Sequence, residues 1–595
     1  MTTPEDQKRE DFIKHFKELN KDKDTTKLFF DLTADDAKAL LMTSAHYHNF
    51  EMPEYFNFDN VLNHVQNTVG NRPYTECLHQ SIDINSCNGV NIDILLNKDG
   101  HYAVRPLTLC NPYLYYFMVR TLCTSEAWQS ISQNLNACQV PHIMAGGLPV
   151  VPAKVEKFHN STIIFNWWRN MEQRSLELAV DYRYMFVTDI TNCYGSINPQ
   201  TIDWALSRRN TQKATDSNHA LANDIIKLLH GMQHGHNAGI PQGSTLFDIL
   251  AEIVLSYADL LLHEALEREG ITQGYEVLRY RDDYADATLF GLDCGRYEVL
   301  RYRDDYRIFC NNSNQLERIS YILQQVLESL GLRMNTDKTR ITDDVVTNSI
   351  KPDKLYILEH APVIDDKQHN LQKHLLYVLQ FARKFPNSGQ LRSLLCRIHK
   401  RVMKGNYGEK LTHVLTVNLM EDEDSTTSKT AKDNLPDIIT IIGNADAMAA
   451  IALQIAIENM PVAHYALRII GDIVSYTQAR KMGLPENHDD LLLRIRQRLI
   501  NMPNADYLKL WLQSLTNKLD KANNTPSPYD TPLCRLVAGL QTELWNNSWL
   551  VPALASSLPV QSVVNKEAIP QESKITINEN STNFYDAIED ALNSL

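Results

Sequence analysis

Tyr297-Glu-Val-Leu-Arg-Tyr-Arg-Asp-Asp-Tyr-Arg-Ile-Phe309 places a run of aromatic, apolar and β-branched residues on each side of Asp304-Asp305. Two such runs around a short polar centre predict a β-hairpin with the acids at its tip. Adjacent carboxylates repel, so a nearby cation is needed to make the arrangement favourable, and a pair of metal ions is the simplest candidate. A solvated turn is the alternative reading, and the apolar flanks argue against it.

Upstream, Met185-Phe-Val-Thr-Asp-Ile-Thr-Asn-Cys-Tyr-Gly-Ser-Ile197 reads as an apolar strand ending at Asp189, with Tyr194 in the turn that follows. A strand end can present one carboxylate to a cleft. Nucleotidyl transfer uses two divalent ions roughly 3.5–4 Å apart, and hard cations take oxygen ligands. Asp189 suits a metal-bridging role, although a capping or turn Asp is the commoner use of such a position. Between these segments lies Gly239-Ile-Pro-Gln-Gly-Ser-Thr-Leu-Phe-Asp-Ile-Leu-Ala-Glu-Ile253. Its glycines and proline let backbone approach a ligand, and Ser244 is placed to cap the next helix. Downstream, Gly331-Leu-Arg-Met-Asn-Thr-Asp-Lys-Thr-Arg-Ile341 follows an amphipathic helix end. Lys338 in it could protonate or neutralise a leaving pyrophosphate, or could simply be an exposed lysine.

In order and spacing these four segments resemble the palm of reverse transcriptases. Asp189 with Tyr194 matches the family's first catalytic motif, and Pro241-Gln242-Gly243 matches its nucleotide-holding loop. Tyr302-x-Asp304-Asp305 matches its signature hairpin, and Gly331-Leu332 to Lys338-Thr339 the segment after it. The resemblance implies an α+β fold, with a right-hand polymerase palm and fingers built on a ferredoxin-like palm sheet. It implies an RNA-directed DNA polymerase in which Asp189, Ile190, Asp304 and Asp305 form the metal set for two Mg²⁺ ions, with Mn²⁺ as a substitute. Tyr194 would exclude a ribose 2′-hydroxyl and Gln242 would pack on the nucleotide. Tyr102-Ala-Val-Arg-Pro-Leu107 and Asn111-Pro112 look like a fingers segment, in which Arg105 would clamp the triphosphate.

One feature departs from the family. Tyr275-Glu-Val-Leu-Arg-Tyr-Arg-Asp-Asp-Tyr284 recurs without change as Tyr297–Tyr306, a period of 22. A palm has room for one such hairpin. The second copy runs on through Arg307-Ile-Phe-Cys310 into a polar turn and a helix, as the family does. The metals are therefore assigned to Asp304 and Asp305, with Asp282 and Asp283 as the alternative.

A chain of 595 residues exceeds one ordinary core. The expected division is an N-terminal extension with part of the fingers (1–100), fingers and palm (101–345), an all-α C-terminal domain (346–560), HEAT-like or irregular, and a flexible acidic tail (561–595). From about 370, apolar residues recur at helical spacing, in pairs punctuated by Gly443, Pro461, Gly483 and Pro503. The stretch 420–434 reads as an exposed linker, and a final amphipathic helix is expected from Asn583. A palm followed by helical repeats resembles the abortive-infection and defence-associated "unknown group" of bacterial reverse transcriptases. That resemblance implies a role in antiphage defence, oligomers, and DNA synthesis without an ordinary primer, sometimes from a protein hydroxyl such as that of Tyr585. Expected partners are a nucleic-acid template, the DNA product and deoxynucleoside triphosphates, with a noncoding RNA or companion defence protein.

Hydrophobic residues at 43% and charged residues at 22% are ordinary for a globular protein. No apolar run reaches the roughly 18 residues that cross a bilayer, and the charged N-terminus lacks the apolar stretch of a secretory signal, so a cytoplasmic protein is expected. The ten cysteines are scattered without zinc spacing and read as reduced, buried hydrophobes. A net charge of −14 makes any phosphate-binding groove a local feature. The competing readings are an RNA-dependent RNA polymerase and a catalytically silent helical scaffold that binds a phage or host factor.

Overall fold

The computed structural model describes residues 26–97, 104–146, 150–152, 171–208, 216–237, 239–271, 296–364, 370–403, 407, 445–479, 488–522 and 526–577. Its strands are β1 (Thr26–Leu28), β2 (Ile92–Asn97), β3 (Val104–Leu109), β4 (Ile143–Ala145), β5 (Val150–Pro152), β6 (Tyr184–Asp189), β7 (Tyr297–Tyr302), β8 (Asp305–Cys310) and β9 (Arg340–Thr342). β1 pairs with β5 and β2 with β3, while the other five form one sheet in the order β4-β7-β8-β6-β9. β4 runs parallel to β7, and the remaining pairs are antiparallel. The first copy of the repeated decapeptide, with Asp282 and Asp283, lies outside the described residues. So do the 420–434 linker, Tyr585 and the helix expected from Asn583.

The central strands β7 and β8 are buried on both faces, which is why they read as near-continuous apolar runs. On one side lie the Thr245–Arg268 and Ser313–Ser329 helices. The former spans about 36 Å at 1.5 Å per residue and is apolar on all sides, because it runs through the core rather than along its surface. Ser244 caps it as expected, its Oγ accepting from the Phe247 N–H at 3.4 Å. On the other side, the buried Arg307 of β8 donates to Ser175 Oγ at 2.7 Å and to the Ser349 carbonyl at 2.8 Å. This is the α+β palm that the four motifs predict.

Among the described residues the helical part opens with Pro352–Ile364 and contains three hairpins: Leu371–Lys384 with Gly389–Met403, Ala445–Glu458 with Ala463–Ala479, and His488–Ile500 with Asp506–Ala522. First helix packs on first helix and second on second between the first two hairpins, and Ala463–Ala479 packs in turn on Asp506–Ala522. That is the layering of an α-solenoid, in which each amphipathic hairpin buries its apolar face on the next. The Asn387 N–H donates to buried Asn459 Oδ1 at 2.8 Å, joining the turns of the first two layers.

Residues 529–537 still pack on Asp506–Ala522, with Gln513 Nε2 donating to the Cys534 carbonyl at 2.8 Å, but residues 545–560, expected in the helical domain, return to the N-terminal part of the chain. Trp545 Nε1 donates to the Leu109 carbonyl at 3.2 Å, and Asn111 Nδ2 donates to Asn547 Oδ1 at 2.8 Å. The expected flexible tail from 561 also needs correction. Val563, Val564, Ile569, Ile575 and Ile577 are buried, and the Asn57 N–H donates to the Val563 carbonyl at 2.9 Å while the Asn565 N–H donates to that of Tyr55 at 2.8 Å. Apolar side chains in an aperiodic stretch are held here by backbone pairing with a distant segment.

A second link joins the palm side to the solenoid. Glu51 accepts from Tyr465 Oη at 2.9 Å, pairs with Arg392 at 3.3 Å and bonds to His464 Nε2. Burial lowers the His464 pKa, so its imidazole is a neutral donor. Burial alone would raise the Glu51 carboxyl, but Arg392 and the His464 and Tyr465 bonds outweigh it and hold the group at about 2. A depressed value contributes stability that is present above the unfolded value near 4.5 and is lost as pH falls towards 2. Glu51→Ala is expected to destabilise the chain by about 2–3 kcal/mol, because His464 and Tyr465 lose a buried acceptor and Arg392 a counter-charge. A lowered midpoint in urea unfolding checks this.

Among the described residues nine cysteines are free and buried, and no helix is long and apolar enough to cross a membrane.

Candidate active site

The β7–β8 hairpin closes through a two-residue turn, Arg303-Asp304, with Arg303 at a left-handed φ of 52°. Only Asp304 sits in the turn. Asp305 opens β8 and pairs with Tyr302 on one side and with Asp189, the last residue of β6, on the other. Residues directly opposite across strands point to the same face, so Asp189 and Asp305 meet side by side. Asp304 is tied in by its carbonyl, which accepts from the Ile190 N–H at 3.0 Å.

Residues 333–335 lock the end of β6 from behind. The Asn335 N–H donates to the Asp189 carbonyl and the Thr191 N–H to that of Arg333, both at 2.8 Å. These bonds use the carbonyls of Asp189 and Arg333, not that of Ile190, whose backbone oxygen is the one ligand an Ile can offer a metal. The same segment delivers Lys338, whose ammonium pairs with Asp189 Oδ2. Thr339 Oγ1 bonds to Thr188 Oγ1 at 2.7 Å and fixes the approach.

The electrostatics call for cations. Burial pushes the Asp305 carboxyl up to about 6, with the neighbouring Asp304 charge adding to it. Asp304 is raised by burial and by Asp189. Burial works against the Lys338 ammonium, but its bond to Asp189 and the nearby carboxylates outweigh this and raise it. Asp189 is 7% exposed, and its Oδ1 is buried without a hydrogen-bond partner. Lys338, Lys351 and Arg303 between them act on the three carboxylates, yet Asp304 and Asp305 remain raised, and with an orphaned Asp189 oxygen the group fits a divalent cation. Among the described residues no three His, Cys, Asp or Glu side chains are gathered into a closed cage, so further ligands must come from backbone, water or substrate.

A pH dependence follows from the Asp305 shift. With its folded value raised from 3.8 to about 6, the metal-free carboxyl contributes stability that is complete below the unfolded value and lost as pH rises through 6. Below about 6 the proton competes with a metal for the same oxygens. The apparent Kd for Mn²⁺ is expected to rise about tenfold per pH unit below that point, which calorimetric titration would read.

Tyr194 and the Gly239–Gly243 loop form a second cluster. The Ile240 N–H donates to the Tyr194 carbonyl at 2.8 Å, and a Cβ on Gly239 would lie 2.9 Å from the Gly195 carbonyl oxygen. Gly243, at a φ of 135°, packs so closely on β3 that a Cβ would meet the Thr108 backbone at 3.0 Å. The Thr108 N–H donates to the Gln242 carbonyl at 2.7 Å, and the Asn49 N–H to that of Gly243 at 2.9 Å. Pro241 is buried and Gln242 half-buried. Arg105 stands three residues before Thr108 on β3, opposite Leu96 in the β2–β3 pair. The structure thus gathers Asp189, Ile190, Asp304, Asp305 and Lys338 in one group and Tyr194 with Pro241, Gln242 and Gly243 in another. Arg105 sits on the strand against which the second group docks.

Residues 131–351 match the model of a family described as reverse transcriptase (RNA-dependent DNA polymerase). This segment is a reverse transcriptase domain. Among solved structures, the chain is similar to apo telomerase from Candida tropicalis truncated from the C-terminal domain, at 15% identity and a TM-score of 0.25 over 47% of this chain and 53% of that one. It is also similar to apo telomerase from Candida tropicalis, at 12% identity and a TM-score of 0.28 over 76% and 74%. Telomerase from Candida albicans in complex with a TWJ fragment of telomeric RNA gives 10% identity and a TM-score of 0.26 over 68% and 67%. The chain thus spans about half the length of the truncated telomerase, and scores of this size leave the assignment to the family match and the palm geometry. No curated protein matches the chain.

The reverse transcriptase domain also contains polar residues that the motif reading passed over. Arg301, fully buried in β7, donates from Nε to Asp259 at 2.7 Å and from Nη2 to Glu252 at 2.6 Å. A further bond reaches the Arg303 carbonyl at 3.2 Å, so the clamp ends on the turn that carries Asp304. Its signal in the sequence is a pair of acids two helical turns apart within the largely apolar run Ile249–Leu262, which demands a buried cation. Asp248, from the first turn of that helix, accepts from Tyr194, Arg303 and Asn49. No spacing rule announces this convergence.

Proposed function

We propose that the chain is an RNA-directed DNA polymerase that copies an RNA template by two-metal nucleotidyl transfer and serves antiphage defence of the abortive-infection type. The observation that carries the polymerase part is the pairing of Asp189 with Asp305 across adjacent strands, beside Asp304, with a buried Asp189 oxygen left unpartnered. Asp189, Asp304, Asp305 and the Ile190 backbone would hold two Mg²⁺ ions, or Mn²⁺ in their place. Bound there, such ions activate an attacking hydroxyl and take up charge on the leaving pyrophosphate.

The chain's own groups do the rest. Lys338 keeps its proton among the carboxylates and is placed to neutralise or protonate pyrophosphate. Tyr194 walls the sugar, Gln242 packs on the nucleotide within the turn shaped by Pro241 and Gly243, and Arg105 clamps the triphosphate. We read 1–100 as extension and fingers, 101–345 as fingers and palm, and 346 to about 540 as the helical part. The defence role is supported by a palm followed by stacked helical hairpins, the arrangement that the sequence shares with abortive-infection enzymes. In this reading the enzyme is cytoplasmic and oligomeric, starts DNA from a protein hydroxyl or another non-standard primer, and works with a noncoding RNA or companion protein. Phage plating on cells that carry the wild-type chain or Asp304→Ala tests the biological role. Reduced plating with the wild type alone supports it, and equal plating on both rejects it.

A further inference from the structure

Three donors from distant parts of the chain converge on one half-buried carboxylate. Asp248 Oδ1 accepts from the Tyr194 hydroxyl at 2.5 Å, and Oδ2 accepts from Arg303 Nη2 and from Asn49 Nδ2, each at 3.0 Å. Asp248 itself is rigidly mounted. It lies in the first turn of the long helix capped by Ser244, where the helix dipole favours a negative charge. Tyr194 is held at both ends, its backbone carbonyl by the Ile240 N–H and its hydroxyl by Asp248. Burial pushes that hydroxyl well above the usual phenol range, so it stays protonated and donates. Arg303 belongs to the turn that carries Asp304, so the same carboxylate touches the sugar-facing ring and the metal-facing hairpin.

We propose that Asp248 is a positioning residue for sugar selectivity, pinning the Tyr194 ring so that a ribose 2′-hydroxyl is refused. This rests on the polymerase reading above. A ring held only by packing could tilt to admit the extra oxygen, whereas one anchored through its hydroxyl to a carboxylate loses that bond if it moves. The variant that isolates the anchor is Tyr194→Phe, which keeps the ring and removes the donor.

The test measures kcat and KM for a deoxynucleotide and for the matching ribonucleotide with the full chain, in wild type, Asp248→Ala, Asp248→Asn, Tyr194→Phe and the Asp248→Ala/Tyr194→Phe double variant. Asp248→Ala is expected to lower the deoxy-over-ribo preference about tenfold, the scale of one hydrogen bond to a charged group. Tyr194→Phe should lower it by a similar factor, and the double variant no further than either single change. Asp248→Asn, which keeps an oxygen acceptor, should restore most of the preference. A merely structural role would lower kcat for both sugars and leave their ratio unchanged, which would overturn the proposal, as would additive effects in the double variant. If Asp248→Ala does not fold, Tyr194→Phe decides, and an unchanged ratio in it rejects the anchor. If the wild type incorporates neither sugar, the polymerase reading fails and takes the proposal with it. A selective wild type with a selective Asp248→Ala defeats the proposal alone.

Discussion

Asp304→Ala is expected to cut nucleotide incorporation by about 10³-fold or more, because it removes several kcal/mol of charge stabilisation available only with the metal site intact. The effect should fall on kcat rather than on folding. Asp304 is half-buried in a turn, and its loss relieves the repulsion from Asp189 that, after burial, raises its carboxyl. Thermal stability should therefore hold or rise slightly while activity disappears. The paired change Asp282→Ala/Asp283→Ala is the control. Asp305 holds the place opposite Asp189, with Asp304 beside it in the turn, so incorporation should persist. Activity lost in the 282/283 variant and kept in a 304/305 variant would show that the other copy enters the palm.

Arg301→Met should produce the largest loss of stability, about 3–5 kcal/mol, read as a lowered urea midpoint. One guanidinium serves two buried carboxylates, so its removal strands Glu252 and Asp259 in the core. Burial already lifts Asp259 to about 6, because a single cation cannot compensate two acids, while the acids hold the Arg301 guanidinium well above its usual range against the cost of burial. Removing the whole triad together, as Arg301→Met/Glu252→Leu/Asp259→Leu, should restore much of that stability, since apolar groups of similar volume need no partners. Activity is expected to stay low even in the restored variant. The bond from Arg301 to the Arg303 carbonyl orients the turn that presents Asp304, and packing alone does not replace it.

What could be read in the sequence follows the range of the forces involved. The hairpin, the strand ending at Asp189, the Ser244 cap and the paired helices after 370 are local patterns, and each appears in the structure at or near the expected residues. The expectation that both acids sit at the hairpin tip was half right. The two-residue turn takes Arg303 and Asp304, which pushes Asp305 into the strand where it can face Asp189. Long-range polar contacts were hidden. Trp545 and Asn547, in a stretch that the sequence reading assigned to the helical domain, anchor to residues 436 positions earlier. Asp248 looks in the sequence like an ordinary first-turn acid, and only the fold brings Tyr194, Arg303 and Asn49 to it.

The most direct measurement is incorporation of labelled deoxynucleotide into DNase-sensitive polymer by the full chain, purified with its bound nucleic acid and supplied with Mg²⁺, in wild type and in Asp189→Asn. The carboxylate geometry predicts polymer from the wild type, DNA in composition, and essentially none from the variant. Equal incorporation by both chains, or a product made of ribonucleotides with no preference for deoxynucleotides, would contradict it.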